Sequence, residues 1–334
     1  MKSRTTTKRI SKRIPRTQQK TKLLSKKIIA TGFFLVLFFV AIIILYLAGK
    51  KESLSPDQNF IVTVNPIKKT IADDRFEPEN KDAQLAREIS MKVYEILSDN
   101  ISSVASLANP SIKHIRVQPG MRKEEIADIL AKKLNWDAKA ENIFLTTRSV
   151  VALDDIKFTE GYYFPTGYSF EKNTPPEKVA EVMISEFKEE IADKFASSTK
   201  SIISIETALK IASIIERESN GTRDMRLISG IIWNRIFNGM SLDIDATLQY
   251  AKGSEKNGWW PKVLSEDKYI ESPYNTYQNK GLPPSPISSP SMAAIQAALN
   301  PKKTECLFYL HDKRRNIHCS VTYKEHVKNI NRYY

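Results

Sequence analysis

Apolar residues recur every three or four positions along the second half of the chain, which predicts a mainly helical region from residue 176 onward. Prolines, glycines and short polar stretches divide this region into separate helices. Asp245 is the predicted N-cap of one helix, and Ser289 that of another, with Pro290 at its first position. The predicted helices span residues 176–196, 205–220, 226–239, 245–253 and 288–301, and a further helix follows near the C-terminus.

Alternating apolar residues near the C-terminus predict a β-hairpin, with strands at 306–310 and 317–323 on either side of the polar turn HDKRRN. The strands carry Cys306 and Cys319. A disulfide across the hairpin is conceivable in an oxidising compartment, but the approximate register does not place the two cysteines opposite each other. Since they also lack the paired spacing of a zinc site, we expect buried or free thiols and no metal.

The region before residue 176 combines a polar linker, a helix and a small mixed unit. Residues 50–80 are polar, with one short predicted strand at 60–64, and residues 81–108 show helical periodicity. Residues 112–136 then predict a strand, a Pro-Gly turn and a helix. This unit resembles a LysM-like module, which binds the glycan of peptidoglycan in other proteins, and it equally fits a subdomain that only contributes packing.

Residues 28–48 form an apolar stretch of 21 residues without a charged side chain. A helix of this length rises about 30 Å, enough to cross the hydrocarbon core of a bilayer. A cleaved signal peptide is the alternative, but its apolar core would be shorter, and residues 45–48 make a poor cleavage site. We therefore predict a retained, single-pass transmembrane helix.

Charge is distributed unevenly along the chain, whose formal net charge is +13. Residues 1–27 hold eleven Lys and Arg and no acidic residue, so the remainder, with 40 basic and 38 acidic residues, is close to neutral. The high net charge therefore gives no support to nucleic-acid binding by the body of the protein. By the positive-inside rule the N-terminus is cytoplasmic, and residues 50–334 lie outside the cytoplasmic membrane.

Two glutamates lie at the end of the apolar helix predicted at 205–220, in the stretch IASIIERESNGT. At about 100° per residue, Glu218 falls on the stripe that contains Ile211 and Ile215, whereas Glu216 lies about 200° away, at an edge that water can reach. Apolar surroundings raise the pKa of a carboxyl, as a general acid at near-neutral pH requires. Glu218 is thus the better catalytic candidate, although a frayed, solvated helix end is the simpler interpretation of this helix alone.

The pair Glu218-Ser219 at a helix end resembles the catalytic Glu-Ser pair of lysozyme-like lytic transglycosylases. Four longer blocks together are similar to the endolytic murein transglycosylase (YceG-like) family, and they occupy residues 160–170, 211–251, 272–310 and 319–326. The chain departs from the family pattern at positions that bear on substrate fit more than on the glutamate, namely Gly167, Asp243, Ala246, Ser285 and Ser291.

The resemblance implies a lyase that cuts the β-1,4 bond from N-acetylmuramic acid to N-acetylglucosamine within glycan strands and leaves 1,6-anhydro ends. Glu218 would act first as acid and then as base, with no cofactor or metal. Two alternatives stay open: a two-carboxylate muramidase that uses Asp243 or Asp245, and a non-catalytic scaffold that binds peptidoglycan. The implied partners are peptidoglycan strands, the cytoplasmic membrane and cell-wall synthases, and nucleic acid is not expected.

Six residues of the family blocks are candidates for substrate binding: Ser219, Asn234, Arg235, Tyr274, Asn275 and Tyr277. The YNTY segment could line a cleft, with Asn275 on an N-acetyl group and the tyrosines stacked on sugar rings, or Asn275 could simply hold a loop. Asn234 and Arg235 could orient Glu218 or bind substrate, or they could be a pair on the helix surface.

Three other side chains have a structural interpretation that outweighs the functional one. Trp259 and Trp260 could form a sugar platform, but we expect buried anchors. His326 is expected to pack, since Glu218 leaves it no required catalytic role.

Taken together, the patterns predict an α+β protein with five segments. These are a basic cytoplasmic tail (1–27), a transmembrane helix (28–48), a linker and helix (49–110), a LysM-like subdomain (111–170) and a mostly helical, lysozyme-like catalytic domain with a C-terminal hairpin (171–334).

Overall fold

A computed structural model describes residues 60–72, 109–147, 160–198 and 202–334. The basic tail, the transmembrane helix predicted at 28–48 and the helix predicted over 81–108 lie outside these residues. Within the described ranges, no helix is long and apolar enough to cross a membrane. All described residues belong to one unit of mixed helix and sheet, residues 59–334.

A short hairpin begins the described part of the chain, in which β1 (Val64–Asn65) pairs antiparallel with β2 (Thr70–Ile71). Of the residues predicted as a strand at 60–64, only Val64 belongs to β1. Just before it, Thr63 Oγ1 donates a hydrogen bond to Asn300 Oδ1 at 2.9 Å. This part of the predicted linker is therefore attached to the helical region.

A β-α-α-β unit follows, made of β3 (Ile112–Arg116), α1 (Lys123–Leu134), α2 (Ala138–Thr146) and β4 (Gly167–Glu171). β3 and β4 pair antiparallel, from Ile112 opposite Glu171 to Arg116 opposite Gly167. Alternate strand residues and one stripe of α1 enter a common core, including Ile115, Ile126, Leu130, Leu134, Tyr168 and Phe170. The predicted strand, turn and helix are confirmed, and a second helix and a closing strand complete the unit.

The helix predicted at 176–196 consists of α3 (Pro176–Phe187), a π-helical turn (Lys188–Ala192) and α4 (Asp193–Ser198) in direct succession. Its apolar stripe faces the core, with buried residues that include Val179, Met183, Ile184, Phe187 and Ile191.

Four further helices form what we call the helical body: α5 (Ile205–Glu218), α6 (Met225–Phe237), α7 (Asp245–Lys252) and α8 (Met292–Leu299). α5 contacts the other three, and its central residues are fully buried because apolar side chains surround it on most sides. Trp233 joins α6 to α8 through a hydrogen bond from its indole nitrogen to the Ala298 carbonyl at 2.9 Å. The C-terminal end of α5 therefore emerges from the centre of the body.

Two predicted helix caps are wrong, and tertiary contacts explain both. Asp245 is the first helical residue of α7 instead of its N-cap, and its carboxylate accepts from the Tyr277 hydroxyl at 2.7 Å. Ser291, not Ser289, is the N-cap of α8. The Ser289 N–H donates to the Met121 carbonyl at 2.7 Å, which keeps the chain extended for two more residues.

The predicted C-terminal hairpin is confirmed, with β5 (Phe308–His311) antiparallel to β6 (Ile317–Ser320). The expectation of unpaired thiols is wrong, because Cys306 and Cys319 form a disulfide with their Cα atoms 5.8 Å apart. In the strand register Cys319 faces Tyr309. Cys306 lies before the first residue of β5, so the strand register on which the expectation depended does not extend to it.

The last helix, α9 (Tyr323–Tyr333), packs on this hairpin and begins with Thr322 as its N-cap. His326 stacks on the Phe308 ring at a centroid distance of 5.5 Å. This agrees with the packing role expected for His326.

Candidate active site

Glu218 is the last helical residue of α5, at the point where the helix leaves the core. Ile214 and Ile215 are fully buried, whereas Glu218 is partly exposed. Ser219 follows as the C-cap, and its N–H donates to the Ile215 carbonyl at 2.9 Å. The helix therefore presents one carboxyl at the boundary between the apolar core and solvent.

The C-terminal hairpin supplies the hydrogen-bond partner of this carboxyl. The Tyr309 hydroxyl donates to Glu218 Oε2 at 2.8 Å. Since side chains alternate along a strand, Tyr309 and His311 share one face of β5, and Leu310 is buried on the other. β5 thus directs a polar face toward the end of α5.

Burial has the largest influence on Glu218 and raises the pKa of its carboxyl above the ordinary value. The Tyr309 hydroxyl and the Ala246 backbone N–H oppose this rise because they stabilise the carboxylate, while the negative charge of Asp245 adds to it and His311 lowers it. The net direction is upward, so the neutral acid persists to higher pH than in water. Burial and the Glu218 charge also raise the pKa of Tyr309 well above its ordinary value, so its hydroxyl remains a donor.

A second polar pair anchors the loop that follows Glu218. His311 Nε2 lies 2.6 Å from Asp224 Oδ2. Both carboxylate oxygens of Asp224 also accept from the Asn220 N–H at 3.1 Å, and Asn220 Nδ2 donates to the Arg315 carbonyl at 3.1 Å. The loop is therefore bound to the hairpin at two points close to the candidate acid.

Glu216 lies on a different side of α5 and has different partners. Its Oε2 accepts from the Ser291 N–H at 2.8 Å and from the Ser291 hydroxyl at 2.6 Å. Burial raises the pKa of Glu216, and the two hydrogen bonds from Ser291 oppose that rise. Glu216 thus connects α5 to the N-cap of α8, and it is partly buried where solvent access had been expected.

Arg217, between the two glutamates, bridges the helical body and the β-α-α-β unit. Its guanidinium lies 3.7 Å from the centroid of the Trp260 ring, and Trp260 Nε1 donates to Glu125 at 2.9 Å. Trp259 Nε1 donates to Asp128 at 3.2 Å. Both tryptophans bond to α1, so their contacts are those of anchors between the two parts, but they are partly exposed where burial had been expected.

Asn234 and Arg235 hold the segment that leads into β5. Asn234 Nδ2 donates to the carbonyls of Thr304 (2.7 Å) and Cys306 (3.2 Å), and Arg235 Nε donates to that of Leu307 (2.7 Å). Arg235 is buried, so the pair is not a surface pair on α6. Both side chains thus bond to the segment that precedes the hairpin, and none of these bonds is to Glu218.

Asn275 is fully buried and organises its own loop. Its amide donates to the carbonyls of Lys268 (3.1 Å) and Ile270 (2.8 Å), and its Oδ1 accepts from the Tyr277 N–H at 2.9 Å. Since these bonds engage both ends of the amide, they favour the loop-holding interpretation over contact with an N-acetyl group.

Tyr274 and Tyr277 are partly exposed and flank Asn275 on the same loop. The Tyr274 hydroxyl lies 2.7 Å from Ser285 Oγ, and that of Tyr277 donates to Asp245 at 2.7 Å. Tyr277 thus bonds to Asp245, whose negative charge raises the pKa of Glu218. Of the YNTY side chains, Tyr277 is therefore the one linked to the surroundings of Glu218.

Sequence reasoning missed Tyr309, His311 and Asp224. The alternation of Tyr309 and His311 in β5 indicates a polar strand face, but it carries no information about what that face meets. Asp224, six residues after Glu218, gives no separate signal because an aspartate before a helix is a common cap.

Comparison with known proteins identifies relatives of this chain. The model of the YceG-like family matches residues 78–332. The chain is 35% identical over 175 residues to the endolytic murein transglycosylase of Bacillus subtilis, in an alignment covering 52% of this chain and 48% of that protein. It is 30% identical over 173 residues to the endolytic murein transglycosylase of Streptococcus pneumoniae strain D39, covering 51% of this chain and 31% of that protein. The aligned part thus spans about half the length of the first relative and about a third of the second.

A solved structure has a similar fold. A crystal structure of a protein from Listeria monocytogenes, described as yceG-like, superposes on this chain with a TM-score of 0.57 and 28% sequence identity. The superposition covers 65% of this chain and 75% of that one.

Proposed function

Since the chain belongs to the YceG-like family, we propose that it is an endolytic lytic transglycosylase of peptidoglycan. It cuts the β-1,4 bond from N-acetylmuramic acid to N-acetylglucosamine within glycan strands. The names and identities of the two aligned relatives support this activity. The observation that carries it is the Glu218 carboxyl, which is partly exposed, has a raised pKa and is held by a defined donor.

The first step needs a neutral acid close to the leaving oxygen. Tyr309 occupies Glu218 Oε2, so we assign the transferable proton to Oε1. Glu218 donates that proton to the glycosidic oxygen as the bond to C1 breaks and positive charge develops on the muramic acid ring. The raised pKa maintains the neutral form of Glu218 for this step.

The second step uses the carboxylate that the first step creates. Glu218 accepts the proton of the C6 hydroxyl of the same muramic acid, and the oxygen closes on C1 to give the 1,6-anhydro ring. The enzyme is then protonated again, and no water is consumed. One carboxyl therefore suffices for the whole cycle.

A muramidase would instead need a second carboxylate to act on C1 or on water. Asp245 accepts from the Tyr277 hydroxyl, and Asp243 accepts from Arg235 at 3.2 Å. The lyase is the better-supported reaction because the aligned relatives are named murein transglycosylases, and hydrolysis is an outcome that the experiment distinguishes.

The remainder of the chain fits an enzyme that works on nascent strands at the membrane. The β-α-α-β unit, with its two-stranded sheet, supports the proposal of a LysM-like, glycan-binding module. The apolar stretch at 28–48 and the basic tail before it would anchor the protein in the cytoplasmic membrane with its N-terminus inside the cell. The catalytic region would then lie outside the membrane, near the cell-wall synthases.

The test is digestion of purified sacculi with the full chain, followed by mass spectrometry of the released glycans. We expect internal cleavage and 1,6-anhydro-muramyl ends, both absent with Glu218→Gln. Glu216→Gln is the matched control, since it alters a neighbouring, partly buried glutamate bound to Ser291. It should retain cleavage.

Three results would contradict the proposal in different ways. Reducing ends in place of anhydro ends would indicate a muramidase. Binding to sacculi without any release would indicate a scaffold. Activity lost in Glu216→Gln and kept in Glu218→Gln would exchange the roles of the two glutamates.

A further inference from the structure

The hydroxyl of Tyr309 makes a direct side-chain contact with the proposed catalytic acid. We propose that Tyr309 is a positioning residue for this reaction: it determines which oxygen of Glu218 carries the transferred proton, and it stabilises the carboxylate formed when that proton leaves. The inference rests on the proposed function and deepens it. It assigns a catalytic purpose to the C-terminal hairpin, which on its contacts alone would be a structural appendage of the helical body.

The geometry of the contact supports this role. The hydroxyl donates to Oε2 at 2.8 Å, and both residues are partly exposed. The carbonyl oxygen of a neutral carboxyl is a better acceptor than its O–H oxygen, so a donor at Oε2 favours the proton on Oε1. Tyr309 therefore selects one rotamer and one protonation site of Glu218.

The backbone on both sides of Tyr309 is fixed, so the hydroxyl has little freedom to move away. The Leu307 carbonyl accepts from Arg235 at 2.7 Å, and the Cys306–Cys319 disulfide joins the segment before β5 to β6. On the opposite strand face Leu310 is buried. A hydrogen bond held by such a framework contributes more than one made by a freely rotating side chain, because its entropic cost has already been met.

The chemistry of the cycle also requires a donor at this position. Glu218 alternates between a neutral acid and an anion, and a hydrogen bond to a charged group is stronger than one between neutral groups. Tyr309 can supply that bond throughout the cycle, because burial and the adjacent carboxyl keep its pKa well above neutral. For the same reason Tyr309 is a poor substitute for Glu218 as the acid.

The charged groups that face Glu218 come from several elements and remain in place when only the hydroxyl is removed. Asp245 faces it from α7, and His311, paired with Asp224, faces it from β5. Arg217 adjoins it on α5, and Arg235 acts on Tyr309 from α6. Tyr309→Phe leaves all of these and the aromatic ring, so its effect reports the hydroxyl.

The expected result of Tyr309→Phe is a lower kcat, by about 10- to 100-fold, with KM nearly unchanged. The hydroxyl lowers the pKa of Glu218, so its loss raises that pKa further. Activity that requires neutral Glu218 falls as pH rises through that pKa. In the variant this falling limb should therefore move to higher pH.

Tyr250→Phe is the matched control. The Tyr250 hydroxyl also donates to a buried carboxyl, Glu160, at 3.3 Å, so the variant removes the same group from a similar bond elsewhere in the fold. It should leave kcat and the pH limb unchanged. Thermal unfolding of both variants shows whether either change merely destabilises the protein.

A second readout does not depend on activity. The full chain with carbon-13 in the glutamate carboxyls can be titrated by NMR, with Glu218→Gln to assign the resonance of Glu218. We expect its midpoint to be higher in Tyr309→Phe than in the parent protein.

The outcomes separate this inference from the proposed function. If the parent protein releases no anhydro ends, the proposed function fails; the NMR titration then still reports whether Tyr309 controls Glu218. If cleavage depends on Glu218 but Tyr309→Phe changes neither kcat, nor the pH limb, nor the Glu218 midpoint, the inference about Tyr309 is wrong. A loss explained wholly by unfolding, with the midpoint unmoved, would also overturn it.

Discussion

Glu218 and Glu160 occupy similar electrostatic surroundings in two regions of the molecule. Each accepts a hydrogen bond from a tyrosine hydroxyl, Tyr309 at 2.8 Å and Tyr250 at 3.3 Å, and burial raises the pKa of each carboxyl, that of Glu160 to about 8. The two carboxyls differ in their exposure to solvent. Glu160 is only 2% exposed and also accepts from the Lys123 N–H at 3.1 Å, between the β-α-α-β unit and the helical body.

The comparison shows that a raised pKa does not by itself identify a catalytic acid. A reacting group must also be reached by substrate, and in this pair only Glu218 is partly exposed. Glu160 instead joins two parts of the fold. The same physical cause, removal of a carboxyl from water, thus serves reaction at one site and structure at the other.

The largest expected effect is on the cleavage rate, which should depend on Glu218 and not on Glu160. Glu218→Gln should lower the rate of glycan cleavage by about 10²- to 10⁴-fold, because the variant has no proton to transfer. Glu160→Gln should keep the rate within a few-fold of the parent. Initial rates on sacculi, at equal folded fraction, measure both, and a comparable loss in Glu160→Gln would remove the distinction between the sites.

A second prediction concerns Glu160 and the free energy of unfolding, where its raised pKa should make stability depend on pH. Glu160 has a folded pKa of about 8, above the value of about 4.3 expected in an unfolded chain. Between these values the folded state holds a proton that the unfolded state has lost, so the free energy of unfolding falls as pH rises. The total decrease should be a few kcal/mol.

Urea unfolding of the full chain at several pH values tests this dependence. The difference in unfolding free energy between the parent and Glu160→Gln should narrow, or change sign, as pH rises from 5 to 8 (about the interval set by the two pKa values). Parallel curves over this interval would contradict a raised pKa of Glu160 in the folded protein.

Removal of the disulfide should loosen the structure around Glu218 and leave the structure around Glu160 unchanged. Cys306→Ser with Cys319→Ser opens a link between residues 13 apart in sequence and should lower the free energy of unfolding by about 2–4 kcal/mol. Cleavage should slow as well, because the hairpin carries Tyr309. Hydrogen exchange should rise in the hairpin and at the end of α5, and equal rises around Glu160 would show that the hairpin does not act locally.

The smallest effect concerns the third glutamate, Glu216. Ser291→Ala removes the N-cap of α8 and one of the two hydrogen bonds to Glu216, and it should cost about 1 kcal/mol of stability. Cleavage should stay within about two-fold of the parent, since Glu216 faces away from Tyr309 and Glu218. Thermal unfolding and the sacculus assay measure the two effects, and a large loss of cleavage would link Glu216 to the site.

Sequence patterns predicted the elements that depend on local geometry. The periodicity of α5 separated Glu218 from Glu216, and the structure gives them different partners, Tyr309 and Ser291. The strand alternation predicted the C-terminal hairpin. Both predictions rely on the repeat of a helix or a strand, which a few neighbouring residues determine.

Predictions failed where a distant residue competes for a local group. The N-cap expected at Ser289 moved to Ser291 because Met121 accepts the Ser289 N–H. The disulfide was not expected because the chain before β5 is held by Asn234 and Arg235, 70 residues and more away in sequence. No local pattern contains that information.

The sequence by itself determined the secondary structure around the site, the apolar environment of Glu218 and the family to which the chain is similar. Only the tertiary structure decided that Tyr309 bonds to Glu218, that Asn275 is a loop anchor and that Glu160 is sealed from solvent. The physical reason is the range of the interactions. Helical and strand periodicity arise within a few residues, whereas the hydrogen bonds that orient a carboxyl join segments brought together only when the core is buried.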